Sequence, residues 1–336
     1  DQEEVVARQA QGEFVLFGPG LAQDIMAYKL ALYAAVKPEV VVLGSSRAGN
    51  VRAAFFERPF VNMAGAATDL ESLRLLVDRM LAVHRPKVVL LGLDFWWLTA
   101  GAPAGHPERI VQPSLLDAST LRAPWRWLVQ GRIAPADMLA PLQHRLRADR
   151  YGLEAQLRDT GYGPDGSLYE GAVLDGRRPA PDHAFARTLR ELESGSGVWA
   201  GSLAPDRERL EAFAEICCRL RSRGIRTIVF LPPLATPVLG ALADRNGGDA
   251  SWLSALRQGL LDCGVESMDF SDPRVYGSGD CEMMDGLHGG DVIGASLVRD
   301  MGDRQPWLRD MLHREYLSHV LRERRGLAAV PDERLT

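Results

Sequence analysis

Three short stretches hold the residue types that acyl chemistry needs. Val40-Val41-Val42-Leu43 runs straight into Gly44-Ser45-Ser46-Arg47-Ala48-Gly49-Asn50. Asp285-Gly286-Leu287-His288 stands far along the chain, and Asn62-Met63-Ala64-Gly65 lies between. A serine hydroxyl is a poor nucleophile until a histidine takes its proton. That histidine works best when a carboxylate fixes its tautomer and steadies its positive charge. The oxyanion that develops needs N–H groups facing it, and glycine permits the close approach. Ser46, His288 and Asp285 are therefore the candidates for nucleophile, general base and orienting acid. Plainer readings stand beside these. Ser45 or Ser46 can cap the following helix, and His288 can cap a helix or bind a backbone carbonyl. Phe95-Trp96-Trp97 reads as a core anchor ahead of a sugar platform, and Asp69 and Asp291 read as helix N-caps.

The elements that must position these residues show in the hydrophobic pattern. Glu39 to Leu43, Lys87 to Asp94 and Ile225 to Leu231 are short apolar runs, the pattern of strands buried on both faces. Short strands are also expected at Phe60 and at Val265 to Phe270. Helices are expected over Leu21 to Val36, from Thr68 or Asp69 to His84, over Pro205 to Arg223, Ser251 to Cys263 and Val292 to Met301. Strands alternating with helices imply an α/β fold with a parallel sheet, and such sheets carry chemistry outside the carboxyl ends of their strands. Residues Asp1 to Gly12 are polar and are expected to be a frayed lead-in. Between residues 95 and 201 the α/β periodicity is lost, while tryptophans and prolines accumulate. This stretch is expected to be an insertion over the serine turn, forming a lid or substrate wall. Tyr162 to Ser167 within it is turn-rich. Residues 304–325 are expected to form an amphipathic C-terminal helix packed on the sheet.

Set side by side, the stretches resemble the four motif blocks of the SGNH hydrolase superfamily, the GDSL-type esterases. Gly44-Ser45-Ser46 resembles the Gly-Asp-Ser block, which makes Ser46 the nucleophile. Asn62-Met63-Ala64-Gly65 resembles the glycine block, with the Gly65 N–H as an oxyanion donor beside that of Ser46. Gly92-Leu93-Asp94-Phe95 resembles the Gly-x-Asn-Asp block, and Asp285-Gly286-Leu287-His288 matches the Asp-x-x-His block outright. The resemblance implies a flavodoxin-like parallel sheet flanked by helices, in one SGNH-like domain over residues 1–336, with no cofactor. The Gly-Ser-Ser-Arg turn, the long insertion and the late Asp-x-x-His are most similar to extracytoplasmic SGNH-like proteins that accompany membrane-bound O-acyltransferases in bacterial envelope modification, such as the alginate acetylation proteins. That implies an acyl-ester hydrolase or O-acyltransferase acting on an acylated carbohydrate, and a membrane-bound O-acyltransferase as partner. It also allows a catalytically weak binding or accessory subunit. One block departs from the pattern. Asp94 stands where the family has an oxyanion-donating Asn, and an ionised carboxylate cannot donate a hydrogen bond. Either Asp94 turns away and pairs, with Arg47 as the candidate, or another donor serves, with Asn62 and Asn50 as candidates.

Composition narrows the field further. The 336 residues include 46% hydrophobic and 25% charged side chains, ordinary values for a globular protein. The net charge of −5 gives no basis for a nucleic-acid partner. No window approaches the roughly 18 consecutive apolar residues of a spanning helix. The first residue is Asp1 rather than Met, which suits a mature or trimmed form whose N-terminal anchor or signal has been removed. Cys217, Cys218, Cys263 and Cys281 include no CxxC pair, so no zinc site is expected. A Cys263–Cys281 disulfide stays open.

Overall fold

The four residues Val40–Leu43 are all buried, so this strand has no solvent face and must sit inside a covered sheet. A computed structural model describes residues 2–18, 25–99, 147–174, 184–201, 203–245 and 251–330, together with Asp182 and a few positions between 122 and 136. The strands among them are β1 Leu16–Phe17, β2 Val40–Leu43, β3 Phe60–Asn62, β4 Val88–Gly92, β5 Arg150–Tyr151, β6 Thr160–Tyr162, β7 Leu168–Glu170, β8 Arg226–Leu231 and β9 Ser267–Asp269. Five of them form a wholly parallel sheet in the order β3-β2-β4-β8-β9. Counted along the chain this is the order 2-1-3-4-5, that of flavodoxin-like sheets. The winding direction reverses between β2 and β4, which opens a crevice at their carboxyl ends. The serine turn leaves β2 and Asp94 follows β4, so both stand at that crevice.

Local chemistry accounts for the flanking helices. Helix Leu70–Val83 starts at Asp69, whose side chain accepts the Ser72 N–H while Ser72 Oγ accepts the Asp69 N–H, a reciprocal capping box. Its Leu73, Leu76, Val77 and Met80 are buried on one face. Helix Ile25–Val36 ends where Lys37 takes φ 48°, one residue before Pro38; residues 21–24 of the expected helix lie outside the described residues. Arg207–Ser222, Ser251–Asp262 and Asp291–Arg304 fall where the sequence places helices, while Thr236–Arg245 was not expected. Phe95, Trp96 and Trp97 are buried in a short 3-10 turn, as a core anchor should be.

Several expectations are corrected. The polar N-terminus is not frayed: Gln2–Ala10 is a helix with Val5, Val6 and Gln9 buried. Gln9 Nε2 donates to the carbonyls of Val15 and Tyr162, and its Oε1 accepts from the Tyr28 hydroxyl, so a polar residue anchors the segment inward. The described part of the insertion is not free of strands. β5, β6 and β7 join β1 in a second sheet, β5-β1-β6-β7, with the β6–β7 turn formed by Gly163–Ser167. Its hairpin lies against the serine turn, since Leu168 N donates to Gly49 O, Arg52 to Ser167 Oγ and Ala53 N to Asp165 Oδ2. Most of the expected lid, residues 100–146, lies outside the described residues. The C-terminal helix is two helices, Pro306–Arg309 and Arg314–Glu323, packed on helix Asp291–Arg304. The break forms because His313 N donates to Phe55 O and Met311 O accepts from Glu57 N. The four cysteines are free thiols, so the Cys263–Cys281 bridge is not formed.

One buried cation ties the two sheets together. Lys29 is almost wholly buried and donates to the carbonyls of Asn62 and Gly166, with its ammonium over the Tyr162 ring. Burial disfavours its charge and lowers its pKa to about 7, against the attraction of Asp165. A depressed lysine pKa penalises the folded state fully below about pH 7, and the penalty is relieved as pH rises towards the unfolded value near 10.5. Urea unfolding of wild type and Lys29→Met checks this. Wild-type stability should gain on the variant by up to about 1.4 kcal/mol per pH unit between pH 7 and 10; a difference independent of pH would contradict it.

Candidate active site

Gly44 makes the serine turn possible. It takes φ +134°, and a Cβ there would lie 2.6 Å from the Gly92 carbonyl oxygen on β4. The chain bends directly into the 3-10 turn Ser46–Ala48, where Ser45 Oγ accepts the Arg47 N–H. That leaves Ser46 exposed at the edge of the sheet while the next two residues, Arg47 and Ala48, are buried.

The Asp285-x-x-His288 spacing closes its loop onto one carboxylate. Asp285 Oδ1 accepts the backbone N–H groups of Leu287 and His288, each at 2.8 Å. The same turn brings His288 Nδ1 within 2.9 Å of both carboxylate oxygens. Burial disfavours the charged carboxylate, but the His288 hydrogen bond and these two N–H groups prevail and hold the Asp285 pKa at about 2. An ionised carboxylate only accepts, so Nδ1 carries the proton and Nε2 is left as the acceptor. Nε2 lies 2.9 Å from Ser46 Oγ. Ser46, His288 and Asp285, from stretches about 240 residues apart, thus stand in one hydrogen-bonded line. A histidine held by a carboxylate and facing a serine hydroxyl can take that proton as the oxygen attacks an acyl carbon.

Arg47 locks this arrangement from beneath. Its Nη1 meets Asp94 Oδ1 at 2.9 Å, its Nη2 donates to the carbonyls of Pro232 and Pro233, and its Nε donates to the Leu287 carbonyl at 3.0 Å. Burial raises the Asp94 pKa and the adjacent Arg47 opposes that shift. Asp94 is thus tied to Arg47 as part of the framework beneath the site.

Of the donors assigned to the oxyanion by sequence, Gly65, Asn62 and Asn50 donate to the framework, while Ser46 N does not. Gly65 has φ +84°, and its N–H donates to Gly44 O at 2.9 Å. Asn62 Nδ2 donates to the carbonyls of Ala48 and Val51, and its Oδ1 accepts from Ala64 N. Asn50 Nδ2 donates to the Gly289 carbonyl. Among the described residues, nothing accepts the Ser46 N–H. Asn62 and Gly65 are scaffolding for the serine turn, and the Ser46 N–H is not spent on it. Sequence spacing shows which residues lie on a turn, but it cannot show which of their N–H groups the turn itself uses.

Other residues come to the site unannounced. Asp291 is not the N-cap of its helix, because Gly290 takes that position. Its carboxylate instead pairs with buried Arg52. Arg187 Nη2 donates to Asp285 Oδ2 at 3.3 Å. Glu170 of β7 lines a crevice with Asn50, Arg52, Met284 and Asp291; burial raises its pKa, against the positive charge of Arg158. No local pattern marks these residues, because each contact joins elements distant in sequence. Among the described residues no group of three His, Cys, Asp or Glu side chains is placed to hold a metal ion, and no helix is long and apolar enough to cross a membrane. No protein-family model matches the sequence, and no curated protein matches it either.

The Arg47–Asp94 pair generates a stability prediction. Breaking a buried pair strands the other charge, which costs about 3–5 kcal/mol. In urea unfolding, Arg47→Met alone and Asp94→Leu alone should each lose about that much. The double variant should recover much of the loss. Additive losses in the double variant would show that the two side chains act independently.

Proposed function

We propose that the protein is a serine-dependent acyl-ester hydrolase or O-acyltransferase with an SGNH-type fold. The observation that carries this reading is the line from Ser46 Oγ through His288 to the buried carboxylate of Asp285, at 2.9 Å for each link. The 2-1-3-4-5 parallel sheet supports it, since the serine leaves the strand at the crevice where such sheets hold their ligands.

The geometry translates into steps. Ser46 Oγ attacks the acyl carbon of an ester while His288 Nε2 takes its proton. Asp285 stabilises the imidazolium and keeps the ring oriented. The tetrahedral oxyanion meets the Ser46 N–H. The C–O bond to the alcohol then breaks, and His288 returns the proton to the leaving oxygen. The acyl group is left on Ser46. Water or a carbohydrate hydroxyl next loses its proton to His288 and attacks the acyl carbon; the bond from that carbon to Ser46 Oγ breaks, and His288 returns the proton to Oγ. The resemblance in the motif blocks points to an acylated carbohydrate of the cell envelope as donor or acceptor, to an extracytoplasmic site, and to a membrane-bound O-acyltransferase as partner.

A second reading has its own observation. Gly65 and Asn62 spend their donors on the framework and Asp94 stands in place of a donating Asn, so among the described residues the oxyanion lacks donors that the motif blocks would supply. Removing a single oxyanion donor costs on the order of 10²–10³ in rate. A catalytically weak SGNH-like subunit that binds a glycan or the acyltransferase fits that deficit.

Turnover of p-nitrophenyl acetate and of an acetylated oligosaccharide separates the two. Under the enzyme reading, Ser46→Ala and His288→Ala each lower kcat/KM by at least about 10³, with little additivity in the double variant. Ser46 is exposed, so Ser46→Ala should stay within about 0.5 kcal/mol of wild type in urea unfolding. Wild-type turnover by Ser46→Ala would overturn the serine mechanism. A parent inactive on both substrates would favour the accessory subunit.

A further inference from the structure

The acid of the relay is gripped from outside the parallel sheet. Helix Ala186–Ser194 carries Arg187 in its first turn, and Arg187 Nη2 reaches Asp285 Oδ2 at 3.3 Å. The two carboxylate oxygens are thereby divided. Oδ1 takes the N–H groups of Leu287 and His288, both oxygens face His288 Nδ1, and Oδ2 also takes the guanidinium. The helix is seated on the acid's own loop. Asp182 Oδ2 accepts the N–H groups of Arg187 and Thr188, while Asp182 N donates to Met284 O, next to Asp285. Thr188 is buried against Gly286, where a Cβ would come within 2.6 Å of it.

Resting on Asp285–His288 as the working dyad, we infer that Arg187 is a positioning residue that sets the basicity of His288. It holds the outer oxygen of Asp285 and offsets part of the carboxylate's charge. The imidazolium formed during acyl transfer is then less stabilised and releases its proton to the leaving oxygen more readily. Among the described residues, the following charged groups bear on His288. Asp285 faces it from its own loop. Arg47 and Asp94 lie beneath and are paired with each other. Glu170 approaches from β7 and acts on His288 electrostatically. Arg187 acts through Asp285. Its side chain is 51% exposed, so replacing it changes the field at the dyad without opening a core cavity.

Without Arg187, Asp285 presents its full negative charge to His288, which favours the protonated ring and raises its pKa. A half-exposed ion pair has a modest effect, so Arg187→Met should raise the His288 midpoint by about 0.2–0.7 pH unit. The rise should shrink at high salt. Arg187→Lys keeps the cation and should stay near the wild-type midpoint.

NMR titration of the His288 ring in wild type, Arg187→Met and Arg187→Lys reads this without any turnover, with His288→Gln assigning the resonance. The acid limb of kcat/KM on p-nitrophenyl acetate should move with it. A raised midpoint in Arg187→Met, restored in Arg187→Lys, supports the proposal; an unchanged or lowered midpoint overturns it. If the midpoint rises in a protein without turnover, the positioning role stands and the enzyme reading falls. If turnover is present and the midpoint is unmoved, the reverse holds.

Discussion

The buried guanidinium of Arg47 is the contact on which the rest of the site depends. Burying a cation costs several kcal/mol unless geometry and hydrogen bonds repay it. Here one planar fork meets the Asp94 carboxylate, two proline carbonyls and the Leu287 carbonyl. Those acceptors belong to the ends of β4 and β8 and to the loop that carries His288, and Arg47 itself sits beside Ser46. Ser46, the loop of His288 and two strand ends are thereby referred to one rigid group. Lysine could not do this, because a point charge on a flexible stem lacks the fork. It also explains why Asp94 occupies the position it does. A neutral amide there would free a donor but strand a buried cation.

A second set of buried polar contacts fastens the smaller sheet to the same corner. Lys29 bridges the carbonyls of Asn62 and Gly166, and Asn62 holds the turn after Ser46 through Ala48 and Val51. Arg52 pairs with Asp291, donates to Ser167 and lies over the Tyr169 ring. Asp291 Oδ2 also accepts the Val330 N–H, so the far end of the chain is drawn in. Each of these groups is costly to bury alone and satisfied together, an arrangement that fixes one geometry. The serine stays exposed because everything immediately behind it is held.

The parallel sheet was legible because buried strands must be apolar on both faces, and Val40–Leu43 and Val88–Gly92 are. The Asp285–His288 pairing was legible because three residues suffice to close the loop on one carboxylate. The Arg47–Asp94 contact could be suspected from motif positions alone. The second sheet could not. β1 and β5 have two residues each and pair across more than a hundred others, so no periodicity announces them. Polarity also misleads at the N-terminus, where Gln9 faces inward because Tyr28, Val15 and Tyr162 supply its partners. Arg187 lies where periodicity fails, and its role exists only once helix Ala186–Ser194 is docked on Gly286.

The proposed function requires that His288, oriented by Asp285, activate the Ser46 hydroxyl. A fluorophosphonate probe tests that most directly, because it phosphonylates a serine only when the oxygen is made nucleophilic. Wild type and His288→Ala would be incubated with the probe at neutral pH, digested, and mapped by mass spectrometry. A single modified serine, Ser46, is expected, with the rate at least about 100-fold lower in His288→Ala. Absence of adduct on Ser46 in wild type, or equal labelling in His288→Ala, would contradict it.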